Sequence, residues 1–151
     1  MPRKLQPPPE EITAKIERFE HTYYFSQDAD PRSKAEDEGA IELTGTIVDI
    51  SKRHRRFLHE PIGITLLYAR TFDPARDAPA AERPFFMYMN LSKRGCGCGG
   101  YIPSDAFWAL PSMLREKAVT HAHFRFQPTQ RGSGSLLSIY LAPGDKVEPI
   151  S

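Results

Sequence analysis

The pattern that most constrains this chain is an alternation of apolar and polar side chains with a period of two, repeated in several short runs. In Ile41–Ile47, Ile41, Leu43 and Ile47 fall on one side while Glu42, Thr44 and Thr46 fall on the other. Successive strand side chains point to opposite faces, so such a run reads as a half-buried β-strand. Gly45 inside it marks a bend or bulge. Ile62–Phe72 is a second run rich in β-formers, and Pro84–Leu91 a third, in which Phe85, Met87, Met89 and Leu91 alternate with Phe86, Tyr88 and Asn90. In Val119–Gln127, Ala122, Phe124 and Phe126 alternate with His121, His123 and Arg125. A turn at Gln130–Gly134 then leads into Leu136–Leu141.

One segment between these runs reads as a helix. Ser104 is its expected N-cap and Asp105 lies in its first turn, while Phe107, Leu110 and Leu114 share a face. Pro111 is expected to kink it. Strand, strand, strand, helix, strand, strand over residues 40–143 predicts a mainly β fold with α, a small five-stranded OB-like barrel (β-β-β-α-β-β). Another small barrel, or a β-sandwich with one helix, has the same element order.

The first 39 residues read differently. Pro2, Pro7, Pro8 and Pro9 make an extended arm, and Glu10 and Glu11 suit a first helical turn. Ile12, Ile16, Phe19 and Tyr23 recur at spacings of 4, 3 and 4, which predicts an N-terminal amphipathic helix over about 9–22. Residues 26–39, SQDADPRSKAEDEG, hold almost nothing to bury and read as an acidic linker. The expected organisation is thus an arm, helix and linker over 1–39, a barrel over 40–143 and a tail over 144–151.

Composition removes several classes. With 14 prolines and 10 glycines in 151 residues, a long bundle or coiled coil is a poor reading. No stretch approaches the roughly 20 apolar residues of a membrane helix, and the start lacks the apolar core of a secretory signal. Two cysteines, one residue apart, build no disulfide framework. A soluble, cytoplasmic protein without a membrane partner is the expectation.

The net charge of +1 hides an asymmetry: residues 1–50 carry −5 and residues 51–151 carry +6. Lys52, Arg53, Arg55 and Arg56 concentrate positive charge directly after the first strand, where an OB topology places a loop that touches oligonucleotides. Lys93 and Arg94 follow the third strand, and Arg125 lies on the outward face of the fourth. Phe86 and Tyr88 point outwards if the alternate residues fill the barrel, and outward aromatic rings stack bases. Basic loop and aromatic face together predict a non-catalytic module for single-stranded nucleic acid. The alternatives are a solvated basic turn and a covered aromatic face, with the protein docking a protein partner through that face or its N-terminal helix.

Cys96, Cys98, His121 and His123 are the right ligand types for a tetrahedral zinc site, although Cys-x-Cys is tighter than usual. No metal or other cofactor is expected beyond that set. No nucleophile elbow, phosphate-binding loop or metalloprotease helix is present, so the chain is not expected to be an enzyme.

Overall fold

The computed structural model describes residues 7–27, 29–32, 34–75 and 87–151. They form a closed seven-stranded barrel. The strands are β1 (Glu10–Ser26), β2 (Glu36–Ile50), β3 (Pro61–Ala69), β4 (Tyr88–Ser92), β5 (Gly95–Tyr101), β6 (His121–Phe126) and β7 (Ser133–Ala142). Around the wall they stand in the order β1-β2-β3-β5-β4-β7-β6. β3 and β5 run parallel, and the other pairs are antiparallel. A short helix α1 (Phe72–Ala75) follows β3, and α2 (Ser104–Arg115) joins β5 to β6. Among the described residues, no helix is long and apolar enough to cross a membrane.

The runs at 41–47 and 136–141 lie within β2 and β7, whereas those at 62–72, 84–91 and 119–127 overrun β3, β4 and β6, residues 84–86 falling outside the described ones; β1 and β5 complete the barrel. The first correction is the N-terminal helix, which is strand β1. Opposite β2, Ile16 faces Gly45 and Arg18 faces Thr44, so Glu17 is an extra residue in the ladder. Past that bulge, the side of the strand that carries Ile12, Ala14 and Ile16 continues as Phe19, His21 and Tyr23, the last two of them exposed. Ile12 and Ala14 are fully buried, Ile16 and Phe19 pack on the core, and His21 meets the Phe107 ring at 5.1 Å. An alternation interrupted by one inserted residue thereby mimics the 4, 3, 4 spacing of a helix face. The backbones approach closely at this point. A Cβ on Gly45 would lie 2.5 Å from the Lys15 carbonyl oxygen.

The second addition is β5. Its composition, GCGCGGY, disfavours a strand, yet β3 and β4 supply backbone partners on both sides. Pairing overrides propensity here. The boundary expected near residue 39 falls inside β2, whose partner across the whole hairpin is β1.

Ile41, Leu43, Ile47, Met89, Leu91, Phe124 and Phe126 fill the interior as their alternation predicts. The α2 helix closes one end with Phe107, Leu110 and Leu114. It is continuous through Pro111, and its cap is Pro103 rather than Ser104, whose hydroxyl instead bonds Asp73. Beside Phe107, Asp37 is buried and accepts hydrogen bonds from the Tyr23 hydroxyl (3.1 Å) and the Tyr68 hydroxyl (3.3 Å). The residues after β7 are strapped across the outer wall. Gly144 N–H donates to Thr120 Oγ1 (3.1 Å) and Ile150 N–H to Asp49 Oδ2 (2.8 Å).

Two glycines separate the energetic effects. Gly45→Ala drives a methyl group into backbone and is expected to cost about 1–3 kcal/mol. Gly63 on β3 has no atom within 4 Å of an added Cβ, so Gly63→Ala should leave stability unchanged or raise it. Urea denaturation of both variants checks this pair. A chain that begins at Glu38 lacks β1, and its circular-dichroism melt should lose cooperativity.

Candidate nucleic-acid interface

Strand directions bring three sequence-distant connections to the barrel end opposite α2. The first is residues 51–60, which join β2 to β3 and contain a 3₁₀ segment, Lys52–Phe57. The second is the Lys93–Arg94 turn between β4 and β5, and the third is residues 127–132 between β6 and β7. The end carries Lys52, Arg53, Arg55, Arg56, Lys93, Arg94 and Arg131. Glu10, Glu11, Asp49 and Glu60 are acids at or near this end, and Arg53 lies 3.9 Å from Glu10. Among the described residues, no carboxylate pairs with Arg56, Lys93, Arg94 or Arg131.

The basic segment is fixed from beneath. Ser51 N–H donates to the Glu11 carbonyl (3.0 Å), and Glu11 N–H donates to Ser51 Oγ (2.8 Å). His54, where the 3₁₀ backbone kinks, is 4% exposed and packs its ring 5.9 Å from Phe126 and 6.4 Å from Phe57. Burial pulls its pKa below the ordinary 6.5, Glu10 opposes this, and Arg53 and Arg56 reinforce it. Its Nε2 has no partner among the described residues. With His54 turned inwards, Lys52, Arg53, Arg55 and Arg56 are exposed.

Two adjoining clefts lie on this surface. One, of ≈ 370 Å³, is lined by Arg56, Phe57, Glu60, Pro61, Lys93 and Arg94. The other, of ≈ 480 Å³, holds Tyr88, Asn90, Arg94, Gly97 and Arg131. They share Ser92, Arg94, Gly95 and Cys96. The structure thus unites Arg56 with Lys93 and Arg94, and joins both to Tyr88. Arg53 lines a separate neighbouring cleft with Gln127–Gln130. Arg125 stands apart on the outer wall of β6, between Glu11 and Ser138. Phe86 lies outside the described residues. Arg131 was missed by sequence reasoning because its segment read only as a turn; a cation at a hairpin tip was the available signal.

The four zinc-type residues do not meet. Cys98 points into the core, where burial pushes its thiol far above the usual range, and Cys96 is raised by burial and then by Glu60. His121 and His123 lie on the outside of β6, with β4 and β7 standing between β6 and β5. Among the described residues, no three His, Cys, Asp or Glu side chains gather to hold a metal.

His123 sits instead between Thr13 and Glu11. Its Nδ1 is 2.8 Å from Thr13 Oγ1 and its Nε2 is 3.1 Å from Glu11 Oε1. Hydroxyl, imidazole and carboxylate in that order resemble a nucleophile relay, but Thr13 is buried in the wall, with 4% of the residue exposed. The relay ties β6 to β1.

Compared with known proteins, the chain matches no protein family, no curated protein and no solved structure.

The lowered His54 pKa has a definite sign in stability. The unfolded chain takes up this proton near pH 6.5 while the folded one resists it, so the contribution is complete above pH 6.5 and is withdrawn as pH falls below it. Urea midpoints at pH 7.5 and 5.5 should therefore fall for the wild type, and fall less for His54→Phe.

Proposed function

We propose that the protein is a non-catalytic module that binds single-stranded nucleic acid across the loop end of its barrel. The observation that carries this reading is the convergence of Arg56, Lys93 and Arg94 on one cleft that opens directly onto Tyr88. Guanidinium forks match phosphate oxygens, and without a described carboxylate partner they are free to do so. The clefts are shallow and continuous, which suits a chain better than a compact substrate. We infer an OB-like mode of use, in which connecting loops and the adjacent sheet face grip the strand. A cytoplasmic setting agrees with two free thiols.

A second reading has its own support. At the opposite end, Tyr23, Tyr24, Phe25 and Trp108 are each roughly half exposed. Aromatic surface of this kind is typical of protein-docking sites. The two readings use different ends of the barrel, so mutations separate them.

Binding of a fluorescent oligothymidylate is expected to weaken steeply with salt, because each phosphate contact releases counterions. Replacing Arg56, Lys93 and Arg94 by Ala should flatten the log–log slope by about 2, at about 0.7 per contact on single strands. Trp108→Ala should leave it unchanged. Wild-type protein that binds no oligonucleotide at low salt overturns the reading in favour of docking.

A further inference from the structure

The cleft around Tyr88 differs from the rest of the basic surface. Its floor is the outer side of β5 and β4, where Gly97 pairs with Asn90. A Cβ on Gly97 would meet nothing closer than the Gly63 carbonyl oxygen at 3.6 Å, an ordinary contact. The fold has room for a side chain at that position, and its absence leaves the backbone bare. Tyr88 and Asn90 rise from the same face two residues apart, one supplying a ring and the other an amide that both donates and accepts. The cleft is open and has a volume of ≈ 480 Å³.

Arg131 is the second unusual element. Gln130 and Ser133 exchange backbone hydrogen bonds of 2.9 and 3.1 Å, so Arg131 and Gly132 are the two central residues of a hairpin turn. Both have positive φ, 54° and 85°, the pattern of a type I′ turn that favours Asn-Gly. An arginine there forgoes local stability. The turn is docked on β4 by Leu91 N–H donating to the Gly132 carbonyl (2.8 Å), which holds Arg131 beside the cleft.

We propose that this cleft is a subsite for one nucleotide unit, with the base lying against Tyr88 over the Gly97 floor and the phosphates on its two sides held by Arg94 and Arg131. The inference rests on the single-strand reading above and adds a position for the base and a second phosphate anchor. A planar base needs a flat, bare surface beside an aromatic ring, and its flanking phosphates need cations at both borders of the cleft. Glycine in a strand marks such a close approach.

Three variants and two probes test it by fluorescence polarisation: an oligothymidylate and an abasic oligodeoxyribose phosphate of equal length. The wild type should bind the abasic strand roughly ten-fold more weakly, the scale of one stacked base. Gly97→Val should retain its melting temperature, bind oligothymidylate about as weakly as the abasic strand, and no longer distinguish the two. Tyr88→Ala should behave likewise. Arg131→Asn should raise the melting temperature, weaken binding to both strands and reduce the salt slope by about 0.7. If the wild type binds neither strand at low salt, the single-strand reading fails and the subsite with it. If the wild type binds but prefers neither strand, or all three folded variants bind as it does, the subsite is overturned and the broader reading stands.

Discussion

Closure of the barrel by β1 is the constraint on which the rest of the structure depends. This strand pairs with β6 through Glu10–Lys15 and with β2 through Ile12–Ser26, so it removes the free edge that each neighbour would otherwise present. Closure requires the strand to satisfy two ladders while continuing past the barrel into a hairpin, and a straight strand does not turn that way. The bulge at Glu17 and a second at Val48 on β2 supply the bend. Each reverses which parity faces inwards, so that Ile47 and Ile50 both reach the core. Gly45 lets the backbones cross closely enough for this to happen.

The same strand carries the basic segment. Its first residues bond Ser51 on both sides and place Glu10 beside Arg53. The cations are therefore held on a defined ledge rather than on a free loop, and His54 acts as the peg beneath it. A buried imidazole whose Nε2 has no partner among the described residues is costly, and it stays neutral at physiological pH because the charged form would be worse still. Anchoring of this kind lowers the ordering entropy that a flexible basic loop would lose on meeting a phosphate chain.

The charge asymmetry along the chain becomes a polarity along the barrel. The start of β2 with Glu36, Asp37 and Glu38 lies at the α2 end, while the Lys52–Arg56 segment, Lys93–Arg94 and Arg131 lie at the other. A protein of net charge +1 thereby shows a markedly positive face. An approaching polyanion responds to that local potential more than to the total charge. The exposed rings of Tyr23 and Trp108 sit at the α2 end, so the two candidate surfaces lie at opposite ends of the barrel.

The sequence by itself determined the β class, the inward and outward faces of β2, β4 and β6, and the basic character of the segment after β2. Those features depend on period-two alternation and on local composition, which survive without knowledge of neighbours. It misreported β1, because a bulge at Glu17 converts a strand's period into a helix's spacing, and bulges are set by the partner strand. It misreported β5, because the glycines of GCGCGGY become a strand only when β3 and β4 bond them from both sides. The zinc set looked coherent because sequence shows ligand types and not the barrel wall between β5 and β6. Only the tertiary structure decided that Arg56, Lys93, Arg94 and Arg131 share one surface with Tyr88. Strand direction brings those side chains together across long stretches of chain, and direction is a property of pairing that no single segment encodes.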